Sequence, residues 1–578
     1  MRDIGESTLH ALMDAITTNG MRDANYIYFN LDDGWAASAR TANGTLAPDA
    51  GTLPSGMSSL AAYAHARGLL LGLYTCRGTE TCEGYPGSKG HEADDAETFA
   101  EWGIDYVKSD SCTASEVHAD ALAEYGAMAS ALSAAAMRLG RAPIFFSLCG
   151  WWTYFAAFGA ARGGAGVGHA WRVSTDVPDW TRFLQNMDAA ASVANLTGYG
   201  RGWADVDMIG GHWGADQERA HLSIIAVVGS PLLLSWDVRD PGAATLGLAP
   251  YLNPELLAIH GDVPDNLVTV GARYFYARIV GGAASAMASP PAIPLASGVD
   301  CTSTTALFTF VGEADANDTT ATGQFESHSA PGYCVGIWDQ WVGACVDPAA
   351  VQLVLCNSTA YGCPLEAQVW VVARNGTLAN AHDPWHMPTV GSGAQPFPGP
   401  YLTLDATVPG ALFVQPLLPA TPAADGVLNQ TQVWRTTVPE VAATAVTARS
   451  KATDTQRSLR VVVNTTVAAP DGRCLAASTP SSGHVWARWL NGGDVALLLL
   501  NLGTEAATVA CDYECLVRLS TATDQPIPAT WSARDVWGRN PAPAITTAAG
   551  YMSPVLPANG GSLLLRLTPR YGEKQVRA

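Results

Sequence analysis

The chain has 578 residues, 48% of them apolar, which is more than one ordinary domain needs and enough for several cores. Its 32 Lys and Arg stand against 52 Asp and Glu, a net charge of −20. So acidic a surface repels phosphate backbones and anionic membranes and argues against nucleic-acid binding. No apolar run reaches the length of about eighteen residues that a spanning helix needs, so no membrane span is predicted.

Met1-Arg-Asp-Ile-Gly-Glu6 leads straight into an amphipathic helix, with no signal peptide in view. Apolar strand candidates follow at 26–31 (YIYFNL), 69–75 (LLLGLYT), 104–110 (IDYVKSD), 144–149 (IFFSLC), 171–176 (WRVSTD), 231–236 (PLLLSW) and 255–260 (ELLAIH). Continuous apolar strands separated by helical stretches predict βαβ units and a parallel sheet. Asp32, Asp33, Tyr74, Asp110 and Asp176 fall at strand C-termini. Polar groups placed there over residues 1–275 read as an α/β chain, a (β/α)8 TIM barrel with its site at the top. A doubly wound sheet is the competing reading, but no Gly-rich phosphate loop follows the first strand. The count of strands is one short, and the natural place for the missing first strand is upstream of Met1.

Beyond about residue 275 helical periodicity gives way to short strands punctuated by Gly, Pro, Thr and Ser. Residues 484–570 read as an antiparallel β-sandwich. Residues 295–480 form a β-rich insertion with two Gln-x-Trp triplets, Gln368-Val-Trp370 and Gln432-Val-Trp434, and with Cys301, Cys334, Cys345, Cys356, Cys363 and Cys474. Asn-x-Ser/Thr sequons stand at Asn43, Asn195, Asn317, Asn357, Asn375, Asn429 and Asn464. Together with the cysteines they point to a secreted protein or one of a lysosomal or vacuolar lumen.

Cleaving a glycosidic bond with retention needs two carboxyl groups about 5 Å apart across the anomeric carbon. Asp110, in Tyr106-Val-Lys-Ser-Asp110, and Asp176, in Trp171-Arg-Val-Ser-Thr-Asp176, are such a pair on two barrel strands. Alternation puts Lys108 on the same side as Asp110, where its charge favours the ionised carboxylate. The plainer alternative is that each Asp pairs with its neighbouring Lys or Arg, or caps a helix.

Five segments, LDDGW (31–35), PSGMSSLAAYAHARGLLLGLYT (54–75), TCEGYPGSKGHEADDAETFAEWGIDYVKSDSC (81–112), WRVSTD (171–176) and GWADVDMIGG (202–211), stand in order. Together they resemble glycoside hydrolase family 27, the α-galactosidase and α-N-acetylgalactosaminidase family, over most of residues 1–265 and again over 484–570. The resemblance implies Asp110 as nucleophile and Asp176 as acid/base, with Asp32 and Asp33 on the galactose 4- and 6-hydroxyls. Tyr74, Lys108, Arg172 and Asp207 match sugar-contacting positions, and Trp151 is a further candidate. It implies disulfides Cys82–Cys112 and Cys511–Cys515. A zinc site is the rival use of cysteine, but there is no Cys-x-x-Cys pair, so no metal and no cofactor is expected.

The chain departs from the family pattern in places. It starts after the strand carrying the family's Gly-Trp-x-x-Trp-like motif. In Ser147-Leu-Cys-Gly-Trp-Trp152, Gly150 replaces a Glu common among α-galactosidases, in a segment that recognises the sugar's 2-substituent. Cys76 replaces an acidic residue, and Cys149 faces Gly168 where the family has its partner, so a Cys76–Cys149 bridge and two free thiols are both open. The Gln-x-Trp triplets resemble degraded repeats of ricin-type β-trefoil lectins. The expected function is that of a retaining exo-α-galactosidase acting on α-galactoside-containing glycans. α-N-Acetylgalactosaminidase and β-L-arabinopyranosidase are alternatives within the enzyme class, and an inactive glycan-binding protein is one from another class.

Overall fold

The structure, a computed structural model, describes residues 4–115, 118–150, 164–174, 176–194, 196–198, 201–262, 276–280, 483–521 and 526–571, with the backbone of the strands between 293 and 477. Contacts divide it into two compact units, residues 1–281 with 482–578, and residues 282–481.

The first unit opens with helix α1 (Glu6–Thr18), whose Leu9, Met13 and Ile16 recur at helical spacing and are buried. Strand and helix then alternate as β1 (Tyr28–Asn30), α2 (Met57–His65), β2 (Leu70–Cys76), α3 (Glu92–Trp102), β3 (Tyr106–Asp110), α4 (His118–Arg138) and β4 (Phe145–Leu148). They continue as β5 (Ala170–Arg172), α5 (Trp180–Ser192), β6 (Trp203–Asp205), α6 (Ala215–Val228) and α7 (Pro254–His260). The six strands pair in sequence order, all parallel, as the sheet of a (β/α)8 barrel. Helices end at left-handed glycines where the chain must turn back: Gly103 after α3 has φ 84° and Gly229 after α6 has φ 71°. At the strands' N-terminal ends Tyr28, Tyr106, Phe145 and His169 pack ring against ring, with centroids 5.1–6.1 Å apart, leaving the C-terminal ends for polar groups.

Three strand expectations need correction. Residues 255–260 are not a strand but helix α7. Asn253 caps it by accepting from the Glu255 and Leu256 amides, Pro254 starts it, and Leu256 and Ile259 bury one face. Residues 231–236 contribute one parallel bridge, Leu234 to Ile209. The sixth strand is instead Trp203–Asp205, three residues too short to show a period. Among the described residues β1 pairs with β2 alone.

The C-terminal part of this unit is an antiparallel β-sandwich, with strands Gly483–Trp489, Val495–Asn501, Thr530–Asp535, Asn540–Thr546 and Gly561–Arg570 in one sheet with Tyr276–Val280. Every residue of Val495–Asn501 is buried, which explains its unbroken Leu run. The sandwich seats on the barrel through Arg488, fully buried, which donates to the Ala226 and His260 carbonyls at 2.7 and 3.1 Å. Asn253 and Trp537 add hydrogen bonds to Val536 O and Ser223 Oγ at 3.0 Å each.

In the second unit all strand pairings are antiparallel, the longest joining Phe308–Asp315 to Ser458–Thr465 and Ala321–Ser327. Trp370 begins the strand Trp370–Val372, while Gln432-Val-Trp434 lies outside the described residues. Of the cysteines there, Cys334 and Cys474 fall on strands, and Cys301, Cys345, Cys356 and Cys363 lie outside the described residues.

Candidate active site

Along β3 the side chains alternate, so Tyr106, Lys108 and Asp110 share one face, and Asp110 ends the strand. The register with β2 sets Tyr74 beside Lys108 and Cys76 beside Asp110. The Tyr74 hydroxyl donates to Asp110 Oδ2 at 3.0 Å, and the Ser111 amide to Asp110 Oδ1 at 2.8 Å. Each oxygen thus has a donor, which fixes the plane of the carboxylate. Burial pushes this carboxyl above its ordinary range, against the pull of Lys108, the Ser111 amide, Tyr74 and Arg172.

Lys108 does not pair with its strand neighbour. Its Nζ donates to Asp32 Oδ2 at 2.8 Å and stands 5.0 Å from the centre of the Tyr74 ring. Burial alone would raise the Asp32 carboxyl, but the charge and hydrogen bond of Lys108 outweigh it and hold the group below its usual range. Asp33 is fixed by the Glu83 amide, which donates to its Oδ2 at 2.9 Å, so the loop after β2 anchors the second acid of the Asp32-Asp33 pair.

On the other side of the site Arg172, 4% exposed at the end of β5, spans two carboxylates: Nη2 reaches Asp176 Oδ1 at 2.9 Å and Nη1 reaches Asp207 Oδ1 at 3.0 Å. The Asp176 side chain is 90% exposed, beyond the strand in the loop that follows it. Asp207 is buried, and its Oδ2 accepts from the Val177 amide at 2.7 Å. Cys149 bridges the two halves: its amide donates to Ser109 O at 2.8 Å, and its sulfur lies 3.7 Å from Arg172 Nη1. Tyr74 with Asp110, and Lys108 with Asp32 and Asp33, therefore form two bonded groups that meet where Lys108 faces the Tyr74 ring, and Arg172, Asp176 and Asp207 form a third. Trp151 lies outside the described residues.

Cys82–Cys112 and Cys511–Cys515 are disulfides, each with Cα atoms 5.1 Å apart. The first sits against the site, with Cys82 Sγ 3.1 Å from the Tyr74 hydroxyl. Cys82, Asp110 and Cys112 also bring three metal-type ligand atoms together, but sulfurs bonded to each other offer no thiolates. Cys76 and Cys149 are free and buried. Burial pushes the Cys76 thiol up to about 12 and the Cys149 thiol well above its ordinary value, so both stay neutral. Trp35 is 2% exposed, donates to Tyr74 O at 2.9 Å and packs edge-on to Trp102 and Phe99; it is core beneath the site.

One participant escaped the sequence reading. Asp205, 3% exposed on β6, accepts the Asp207 amide at 2.9 Å and faces Arg172 across the sheet. Its signal was the Asp-x-Asp alternation of Asp205-Val-Asp207, which puts both acids on one side.

A family model described as alpha galactosidase A matches residues 2–261, and one described as the alpha galactosidase C-terminal beta sandwich domain matches residues 481–567. A probable alpha-galactosidase of Dictyostelium discoideum is 38% identical over 269 residues, covering 45% of this chain and 65% of that protein. Alpha-galactosidase 3 of Arabidopsis thaliana is 38% identical over 264 residues, covering 45% of this chain and 57% of that protein. The chain thus spans less than two thirds of these relatives' length. Among solved structures, alpha-galactosidase I of Mortierella vinacea shares the fold with a TM-score of 0.55 at 17% identity, covering 98% of this chain and 94% of that one. The alpha-galactosidase of Saccharomyces cerevisiae does so at 0.54 and 18% identity, with the same coverage.

Proposed function

This chain belongs to glycoside hydrolase family 27, and we propose that it hydrolyses terminal α-D-galactosyl residues of glycans with retention of configuration. The observation that carries this reading is the orientation of Asp110, donated to on both oxygens at the end of β3. A carboxylate held so presents one lone pair in a fixed direction, as attack on a sugar carbon requires.

Asp110 attacks the anomeric carbon while Asp176 passes its proton to the departing glycosidic oxygen. A covalent glycosyl ester forms on Asp110 and the aglycone leaves as an alcohol. Asp176, now ionised, takes a proton from water as the water attacks the same carbon. The ester bond breaks, α-galactose leaves and Asp176 is again protonated. The exposure of Asp176 suits a group that meets both leaving group and water. Asp32, paired with Lys108, and Asp33, held by the Glu83 amide, are acceptors for the 4- and 6-hydroxyls. Such a pair rejects epimers because a misplaced hydroxyl leaves two carboxylate acceptors unanswered. Arg172, Asp207 and Trp151 belong to the same site in this reading.

The two disulfides support an oxidising compartment, outside the cell or in a lysosomal or vacuolar lumen. No described helix is long and apolar enough to cross a membrane.

The test is NMR of the earliest product from an aryl α-galactoside, compared with Asp110→Asn. The wild type should release α-galactose first, and the variant should lose several orders of magnitude in turnover. First-formed β-galactose would overturn the retaining mechanism.

A further inference from the structure

An acid/base carboxyl must hold a proton at the start of each cycle, yet Arg172 Nη2 lies 2.9 Å from Asp176 Oδ1. A guanidinium this close favours the ionised carboxylate. The surroundings of Arg172 offset it. Asp207 Oδ1 takes its other nitrogen at 3.0 Å, and Asp205 stands opposite Arg172 in the β5–β6 register. All three are at most 4% exposed, so the Arg172–Asp207 pair is little screened by water, while burial pushes the Asp205 carboxyl above its ordinary range against the pull of Arg172.

The backbone is arranged for this. Asp207 has φ 79°, a left-handed conformation rare outside glycine, and Asp205 Oδ1 accepts its amide at 2.9 Å. The flanking Val206 is tied by its amide to Ser230 Oγ at 3.0 Å and by its carbonyl to Asn186 Nδ2 at 3.2 Å. Turned this way, Asp207 reaches Arg172 with one oxygen and the Val177 amide with the other, at 2.7 Å. Asp176 is thereby bracketed, its side chain by Arg172 and its following peptide by Asp207.

We propose that Asp205 and Asp207 are positioning residues for the acid/base step: Asp207 engages Arg172 and clamps the chain at Val177, and Asp205 holds Asp207 in that turn, so that Asp176 stands in place for the proton transfer. The other titratable or charged groups facing Arg172 are Cys149 from β4, Lys108 and Asp110 from β3, and Asp32 from the loop after β1. Lys108 and Asp32 pair with each other and Cys149 carries no charge, which leaves Asp110 on β3 and the two β6 acids facing Arg172, and of these Asp207 holds it in an ion pair at 3.0 Å.

The inference rests on Asp176 being the acid/base, and the experiment separates the two. The full chain is compared with Asp207→Asn, Asp205→Asn, Asp205→Ala and Asp176→Ala on a dinitrophenyl α-galactoside and on a galactosyl disaccharide, across pH, with circular dichroism and Tm as folding controls. In Asp207→Asn, folded as the wild type, the basic limb of kcat/KM for the disaccharide should move down by about one pH unit, with a much smaller loss on the dinitrophenyl substrate. Asp205→Asn, which keeps an acceptor for the Asp207 amide, should move the limb the same way by less, and Asp205→Ala should lose more. An unmoved basic limb, or equal losses on both substrates with Asp176→Ala still discriminating between them, would overturn the inference alone. Equal losses in Asp176→Ala itself would remove the acid/base assignment and the inference with it.

Discussion

Lys108 gives its hydrogen bond to Asp32, two strands along the sheet, at 2.8 Å, and only its field to Asp110, two residues along its own strand. One ammonium therefore serves two carboxylates in different ways. It orders an acid suited to sugar hydroxyls, and it opposes the burial that raises the Asp110 carboxyl above its ordinary range.

Removing that charge should separate the two effects. In the proposed mechanism Asp110 acts as the carboxylate, so the acidic limb of kcat/KM should report its ionisation. Its carboxyl already lies above the ordinary range because burial outweighs its favourable partners. Lys108→Met takes away the largest of those partners, so the acidic limb should move to higher pH by about one unit. KM should rise as well, because Asp32 loses its orienting bond. A raised KM with an unmoved limb would confine Lys108 to the sugar side.

In the proposed mechanism Asp176→Ala removes the proton donor but leaves the nucleophile intact. A galactoside whose aglycone leaves as a stable phenolate does not need that proton, whereas a sugar leaving group does. Loss of general acid catalysis is of the order of 10²–10⁴ in rate. The disaccharide should lose a factor in that range, and the dinitrophenyl galactoside far less in its first step. Equal losses would leave Asp176 a structural role.

How far the sequence could be read depends on how local each feature is. Asp110 and Lys108 were legible because a strand's period of two fixes their common face, and Cys82 and Cys112 because their segments carry the family's motifs. The partner of Lys108 was not legible, since β2 lies between β1 and β3 in the sheet and no periodicity relates Asp32 to Lys108. Residues 255–260 misled because a six-residue apolar run fits a strand or a helix; Asn253 and Pro254, just ahead of it, decided for the helix. Asp205 was missed because a three-residue strand shows no pattern, and its importance arises only where β6 meets Arg172.

His221 makes a prediction about stability at low pH. It is fully buried on α6 with ring centroids 4.1 Å from Phe183 and 4.8 Å from Trp213, and among the described residues neither ring nitrogen has a hydrogen-bond partner. Burial pushes it down to about 3. The unfolded chain takes up a proton as pH falls through about 6.5, while the folded chain refuses it until about pH 3. Stability is therefore lost on acidification across that window, by roughly 1.4 kcal/mol per pH unit from this one group. His221→Phe keeps a flat ring between Phe183 and Trp213 and removes the titration. Denaturant unfolding of the variant should match the wild type near pH 7 and show a shallower loss between pH 6 and 4. A slope unchanged from the wild type would assign acid sensitivity elsewhere, with His260, pushed down to about 4, the next group to test.

In the proposed reading the residues after Cys149 meet the sugar's 2-position. Gly150 has φ 120°, and a Cβ there would come within 2.4 Å of Ser111 Oγ, 2.6 Å of Ser111 Cβ and 3.3 Å of the Tyr125 hydroxyl. Ser111 cannot simply swing away, because its hydroxyl is held by Arg77 Nε at 2.9 Å and by Tyr125 at 2.8 Å. A side chain at 150 therefore meets both a backbone penalty and a collision. Gly150→Glu should destabilise the fold and should not supply an acceptor for the 2-hydroxyl. Selectivity at C2 then falls to the residues beyond, Trp151, Trp152 and Tyr154 in the sequence. Two indoles and a phenol are bulky, and if that bulk meets C2 it admits a hydroxyl while excluding an acetamido group, a discrimination of order 10–200-fold for a steric pocket. The ratio of kcat/KM for an aryl α-galactoside to that for its 2-acetamido analogue should accordingly lie well above one. Trp151→Ala and Trp152→Ala should each lower that ratio by improving the acetamido substrate rather than by harming the galactoside. A wild-type preference for the acetamido sugar would make the chain an α-N-acetylgalactosaminidase working by the same two aspartates.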